Sequence, residues 1–342
     1  MPKSLKWIVF CVLGLASVHF ARCYVMLTGS WINLDNYAAG TERMPFQGRM
    51  LMMWPLRWAE HSASVLRFSS HHEGAMKDPN RLVICIVALL CLIATGYIVT
   101  RLYEQASTLR LFPWLPYVLL LAISYVQYIL HCEQNFLYPY DLLSLLFFTS
   151  GIWLIYNRRF WWLLLMFPVA VLNRETMIFL VPMLLLDACC NDKRIEWKNL
   201  AQPALLAKTA ALSAIWAAIV LYVHHRYLHN ESDLGSHVSV NIRYITHPQF
   251  WPQLFSVGAF LPVFLWYFNR EIEDFRLRVY CLIFPLWCAV MFFYGMLNET
   301  RIFGELGGLM ALVTALIVER VVWSTVASRL KSSEPTEVLC AD

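Results

Sequence analysis

Charge is scarce in this chain: Asp, Glu, Lys and Arg together make up 15% of its 342 residues, against about 25% in an ordinary soluble domain. Long polar stretches are missing as well, and none between the apolar runs is long enough to fold as a separate soluble domain. The formal net charge is only +4, and the basic residues are scattered among loops rather than gathered in a patch, which excludes a nucleic-acid partner. No C-x-x-C, G-x-S-x-G, H-E-x-x-H or P-loop pattern occurs, so redox, serine-hydrolase, zinc-protease and nucleotide-hydrolysis chemistry have no support. The ten cysteines mostly lie inside apolar runs (Cys11, Cys85, Cys91, Cys281, Cys288) and behave there as small hydrophobes. His71-His72 has no carboxylate or cysteine at ligand spacing, so no metal site is expected.

Apolar residues fill the space that charge leaves. The chain is 59% hydrophobic with a mean hydropathy of +0.53, and the bilayer must be the solvent for most of it. Apolar runs close to the ~20 residues of a membrane span recur at 5–27, 82–100, 112–131, 140–156, 160–186, 204–223, 252–268, 279–297 and 303–322. The expected fold is all-α: one polytopic transmembrane bundle over 1–325, with a long external first loop at 28–81 and a cytoplasmic tail at 326–342. The first run has the lysines of a signal peptide but no convincing small-x-small cleavage site, which favours an uncleaved first span.

The run 160–186 decides the topology, because Asn173, Arg174, Glu175 and Thr176 interrupt it. If it crosses once, Lys193, Arg194, Lys198, Lys208, Arg270, Arg276, Arg278, Arg320, Arg329 and Lys331 fall outside, and only Arg226, Arg243 and Arg301 inside. If it enters and returns on one side, the distribution inverts to the one the positive-inside rule requires. Its flanks 161–172 and 177–186 are each too short to span. A re-entrant or broken hairpin is therefore expected, with eight spans besides and both termini cytoplasmic. Asn173 and Thr176 are expected to cap the helix after the apex.

With that topology, ionisable residues converge at the outer side: Glu133 and Asp141 around a short loop, Glu175 at the apex, Glu299 and Arg301 before the last span with Glu305 one turn into it, and Asp35, Glu42, Arg43 and Arg49 in the first loop. Buried ionisable groups in membranes are usually paired and often functional. Arg174 and Glu175 suit either chemistry or a packing salt bridge. Glu299 and Arg301 are expected to snorkel to the interface. Asp141 is expected to cap a helix start, and Glu133 to be solvated. Within the first loop, PFQGRMLMMWPLRWAEH reads as an interfacial helix bent or restarted at Pro55, and HSASVLRFSSHHEGAMKDPN as a flexible connector.

Arginines beside a carboxylate at the outer face suit a lipid-linked phosphate donor, because guanidinium forks bind phosphate and stay charged when partly desolvated. A carboxylate near an acceptor hydroxyl can serve as general base. A cytoplasmic start, a first span and a long external loop with an acidic residue and interfacial helices resemble the GT-C superfamily of membrane glycosyltransferases, most closely over residues 1 to about 100. The resemblance implies a polyprenyl-phosphate sugar donor and a catalytic carboxylate in the first external loop, matched here to Asp35. Many members carry two adjacent acids, whereas here Glu42 follows seven residues later as the reserve. On this expectation Arg43, Arg49, Arg174 and Arg301 hold the donor phosphate, and Glu175 orients Arg301 or the acceptor. Asn173, Asp141 and Glu299 give support. No metal and no cofactor are required, and the expected setting is a bacterial inner membrane. A transporter or lipid flippase, an O-antigen-polymerase-like enzyme and a structural subunit are the alternatives.

Overall fold

A computed structural model of the chain describes residues 3–332, apart from 131–135, 192 and 234. Glu133 and the end of the expected tail, 333–342, lie outside the described residues. The chain is 78% helical. A long α1 (Lys3–Leu27) leads into a first loop that folds as α2 (Leu34–Ala39), α3 (Met53–His61) and α4 (Ala63–Ser70). Next come α5 (Pro79–Ala106), α6 (Leu115–Tyr128), α7 (Asp141–Tyr156), α8 (Phe160–Asn173), α9 (Leu180–Cys189) and α10 (Pro203–Arg226). The remaining helices are α11 (Val238–Thr246), α12 (Trp251–Phe255), α13 (Leu261–Phe268), α14 (Phe275–Tyr280), α15 (Ile283–Tyr294) and α16 (Gly307–Ser332). Between α9 and α10, β1 (Cys190–Asn191) pairs antiparallel with β2 (Arg194–Ile195).

Among the described residues, five stretches are long and apolar enough to cross a membrane: Trp7–Leu27, Pro79–Ala106, Pro203–Arg226, Phe275–Tyr294 and Thr300–Val326. A sixth results if Pro248–Phe255 and Val257–Glu271, bent 82° against each other, count as one span. The expected spans 112–131 and 140–156 form helices of 14 and 16 residues, about 21 and 24 Å at 1.5 Å per residue. They are short for a ~30 Å hydrocarbon core. Length and composition thus identify five or six of the eight expected spans in this helical membrane protein.

The first loop is more ordered than its sequence suggested. The Asn33 side chain accepts the N–H groups of Asp35 and Asn36 at 2.9 and 3.1 Å, satisfying donors that a helix start leaves free. At the other end of α2, Arg57 donates to the carbonyls of Ala38 and Ala39 at 2.9 and 3.0 Å. Pro55 sits in the first turn of α3, where a missing N–H does no harm. The stretch expected as a flexible connector instead forms α4 and a 3-10 turn, Gly74–Lys77. Ser69 and Met76 are buried there against the bundle.

Loops sort to the two ends of the bundle. At one end the first loop is joined to the residues after α6, Leu137 N–H to Gly29 O at 2.7 Å, and to those after α10, Met44 N–H to Glu231 O at 2.6 Å. At the opposite end Glu319 of α16 accepts from the hydroxyls of Tyr103 and Ser107 and from the N–H of Leu111. Arg276 of α14 donates there to the Tyr156 carbonyl at the end of α7 and, through Nε, to Asp187 of α9, both at 2.8 Å. Residues 157–187 therefore leave this end and come back to it. Their turning point is at Arg174, where the backbone becomes extended (φ −163°, ψ 132°) before a 3-10 turn, Glu175–Phe179.

Candidate functional site

Three unwound segments meet inside the bundle. The turn Glu175–Phe179 touches the 3-10 segment Thr300–Leu306 through Thr176 and Glu305, and Thr300–Leu306 packs in turn against Val257–Phe260. In the last of these, Gly258, Ala259 and Phe260 all have positive φ, at 57°, 57° and 64°, which is costly for the two that carry a Cβ. Gly304 is required by close approach, because a Cβ there would strike the Tyr128 hydroxyl.

Charged side chains fill this junction. Asp141 opens α7, but its carboxylate caps nothing there. It lies between two guanidiniums, with Oδ1 3.5 Å from Arg174 Nη1 and Oδ2 3.4 Å from Arg301 Nη1. Arg174 also meets Glu305 Oε1 at 3.1 Å. Arg301 is paired with Glu299 and lies over the Tyr138 ring, 3.4 Å from its centroid. The expectation that Glu299 and Arg301 snorkel to an interface is corrected: they are 7% and 5% exposed. Desolvation is tolerable here because each charge has an opposite one in contact. Asn173 and Thr176 do not cap the following helix. Asn173 donates to the Tyr140 carbonyl at 3.1 Å and Ser144 Oγ at 2.8 Å, tying the turn to α7. Thr176 spends its hydroxyl on Glu305.

Glu175 does not orient Arg301. It accepts from Arg49 in the first loop, Nη2 to Oε1 at 2.9 Å and Nε to Oε2 at 3.4 Å. Arg49 Nη1 donates to the Tyr140 hydroxyl at 2.9 Å. Burial pulls the Arg49 pKa down, but Glu175 and Tyr140 outweigh it and hold the guanidinium well above its ordinary value. Trp216 of α10 donates to the Glu175 carbonyl at 2.8 Å.

The remaining first-loop residues stand apart from this network. Asp35 is exposed in the first turn of α2. It accepts at 3.3 Å from Asn80 Nδ2, which also donates to Glu60 Oε1 at 2.7 Å. Glu42, the reserve base, is buried and accepts the N–H groups of Asn33 and Arg43 at 2.9 and 3.2 Å. Those bonds hold the loop's shape and leave Glu42 poorly placed to take a substrate proton. Arg43 pairs with Asp233 at 2.8 Å and lies over the Trp31 and Phe46 rings.

Glu305, Thr176, Tyr138 and Tyr140 complete the site; the sequence reading gave Thr176 only a capping role and the other three none. The signal for Glu305 is its place in NETRIFGELGG, an acid between apolar residues and glycines at the start of a span. Nothing local marks the tyrosines. Among the described residues no group of three His, Cys, Asp or Glu side chains could hold a metal ion. The chain matches no protein-family model, no curated protein and no solved structure.

Proposed function

We propose that this protein is a glycosyltransferase that moves a sugar from a polyprenyl-phosphate donor to an acceptor at the extracytoplasmic face of a bacterial inner membrane. The observation that carries this reading is Asp35, an exposed carboxylate on a short helix fixed at both ends and held by buried Asn80. A general base must be reachable by the acceptor and rigidly held, and Asp35 meets both demands. Arg43 is the arginine suited to the donor phosphate. Its side chain and that of its partner Asp233 are 26% and 46% exposed, so exchanging this carboxylate for a phosphate costs little. Exposed Trp31, Trp54 and Trp58 offer faces for sugar and isoprenoid. Arg49, Arg174 and Arg301 are each occupied by carboxylates and act from behind, fastening the segments that carry the site.

In this reading α1, α5, α6, α7, α10, the bent segment 248–271, α14 with α15, and 300–326 cross the membrane, and 160–186 is a re-entrant hairpin. The end that holds the first loop faces outward, because Arg158, Arg159, Lys193, Arg194, Lys198 and Arg270 gather at the other.

Asp35→Asn is expected to abolish transfer while leaving the thermal midpoint and helix content unchanged; full activity in that variant would remove Asp35 from the mechanism. Native mass spectrometry of gently purified protein should find a polyprenyl phosphate that Arg43→Ala loses. Only bulk phospholipid in both would turn the reading to a transporter. That second reading draws on the three unwound segments around an ion network, an arrangement that discontinuous-helix transporters use for substrates.

A further inference from the structure

The charges at the centre of the network do not balance. Arg174 and Arg301 supply two positive charges, whereas Asp141, Glu299 and Glu305 supply three negative ones. None of these five side chains is more than 9% exposed. The neighbouring Arg49 and Glu175 satisfy each other and contribute no net charge. Fully ionised, the buried cluster would carry one uncompensated negative charge, and buried groups take up a proton or a cation rather than remain so.

Local geometry distinguishes the three acids. Glu299 is committed to Arg301, and Asp141 is shared by both arginines. Glu305 has one guanidinium, and both its oxygens lie within hydrogen-bond distance of a single hydroxyl, Thr176 Oγ1, at 2.7 and 2.8 Å. A hydroxyl has one hydrogen to donate. It can bond both oxygens well only if one of them carries a proton and donates it back. The surroundings have polar capacity to spare: Asp141 Oδ1 and Arg174 Nε are buried without a hydrogen-bond partner among the described residues. Besides Arg174, the charged or titratable groups that act on Glu305 are Arg49, Glu175 and Tyr128. The segment Val257–Phe260 brings none.

We infer that the cluster binds one exchangeable proton, carried on the Glu305 carboxyl and shared with Thr176 Oγ1, so that the five side chains together are neutral. The proton comes from water and returns to it, and no other bond changes. Loss of that proton would leave a buried charge where three unwound segments meet, so this protonation holds the junction closed. The inference is independent of the transferase reading, because it concerns groups that reading assigns no chemistry.

The test is infrared spectroscopy of the purified full chain in lipid nanodiscs, comparing wild type with Glu305→Gln, Glu299→Gln and Asp141→Asn in sodium-free buffer. At neutral pH the wild type should show a protonated-carboxyl stretch that Glu305→Gln lacks and that folded Glu299→Gln retains. The folded protein then holds a proton that the unfolded chain releases in the ordinary carboxylate range, so the thermal midpoint should fall as pH rises from that range until the folded protein gives the proton up. Glu305→Gln, which mimics the protonated acid, should fold and lose that dependence. A band that survives unchanged in Glu305→Gln, or a midpoint that keeps its pH dependence in that variant, would overturn the proposal. So would loss of the band on adding sodium chloride at constant pH, which would assign the site to sodium.

Discussion

Arg49 and Glu175, from the first loop and the turn after α8, are joined by two hydrogen bonds of 2.9 and 3.4 Å. This pair fastens the helices of the first loop to the point where 157–187 turns back. The Arg49 side chain is 10% exposed and that of Glu175 is 42% exposed, so solvent screens part of the attraction. A double-mutant cycle with Arg49→Ala and Glu175→Ala is expected to give a coupling of about 1 kcal/mol. Thermal unfolding in detergent measures it, and a coupling near zero would make the contact incidental.

Asp141 is the shared acceptor of two buried guanidiniums. Removing it leaves Arg174 with Glu305 and Arg301 with Glu299 as their remaining acids, and Asp141→Ala should lower stability by about 1–3 kcal/mol. Asp141→Asn, which keeps the shape, should cost less. Equal losses in the two variants would show that packing rather than charge sets the effect.

Gly304 leaves no room for a side chain beneath Tyr128. Gly304→Ala should destabilise by about 1–3 kcal/mol through overpacking, read as a lowered unfolding temperature. An unchanged midpoint would mean that Tyr128 can move aside and that the segment Thr300–Leu306 is loosely held.

The course of 160–186 can be tested with a single cysteine at position 195, in β2 between α9 and α10, on a cysteine-free background. An impermeant thiol reagent should label it in inverted vesicles and fail to label it in intact cells. Labelling from outside intact cells would reject the hairpin.

Much of the scaffold was legible because spanning helices carry their own signal. The runs 5–27, 82–100 and 204–223 became α1, α5 and α10, since an apolar stretch in lipid must satisfy its backbone internally. The polar interruption at 173–176 marked a real turning point for the same reason: a charge within such a run needs a partner in the fold. Where the sequence reading failed, polar groups had more than one available partner. Asp141 and Thr176 looked like local caps, yet each reaches a charged group far along the chain. The 61–80 stretch looked like connector because serines, histidines and charged residues make up most of it, and the contacts that order it, at Ser69 and Met76, come from the bundle beneath.

Composition by itself determined that this chain is a helical membrane protein and which segments are apolar enough to cross, because transfer of apolar surface is a local property that adds along the chain. Only the tertiary structure decided that Arg49 meets Glu175, that Asp141 joins Arg174 to Arg301, and that Glu305 stands opposite Thr176. Ion pairing depends on distances between segments remote in sequence. Helix packing and backbone breaks set those distances, and no local pattern of residues encodes them.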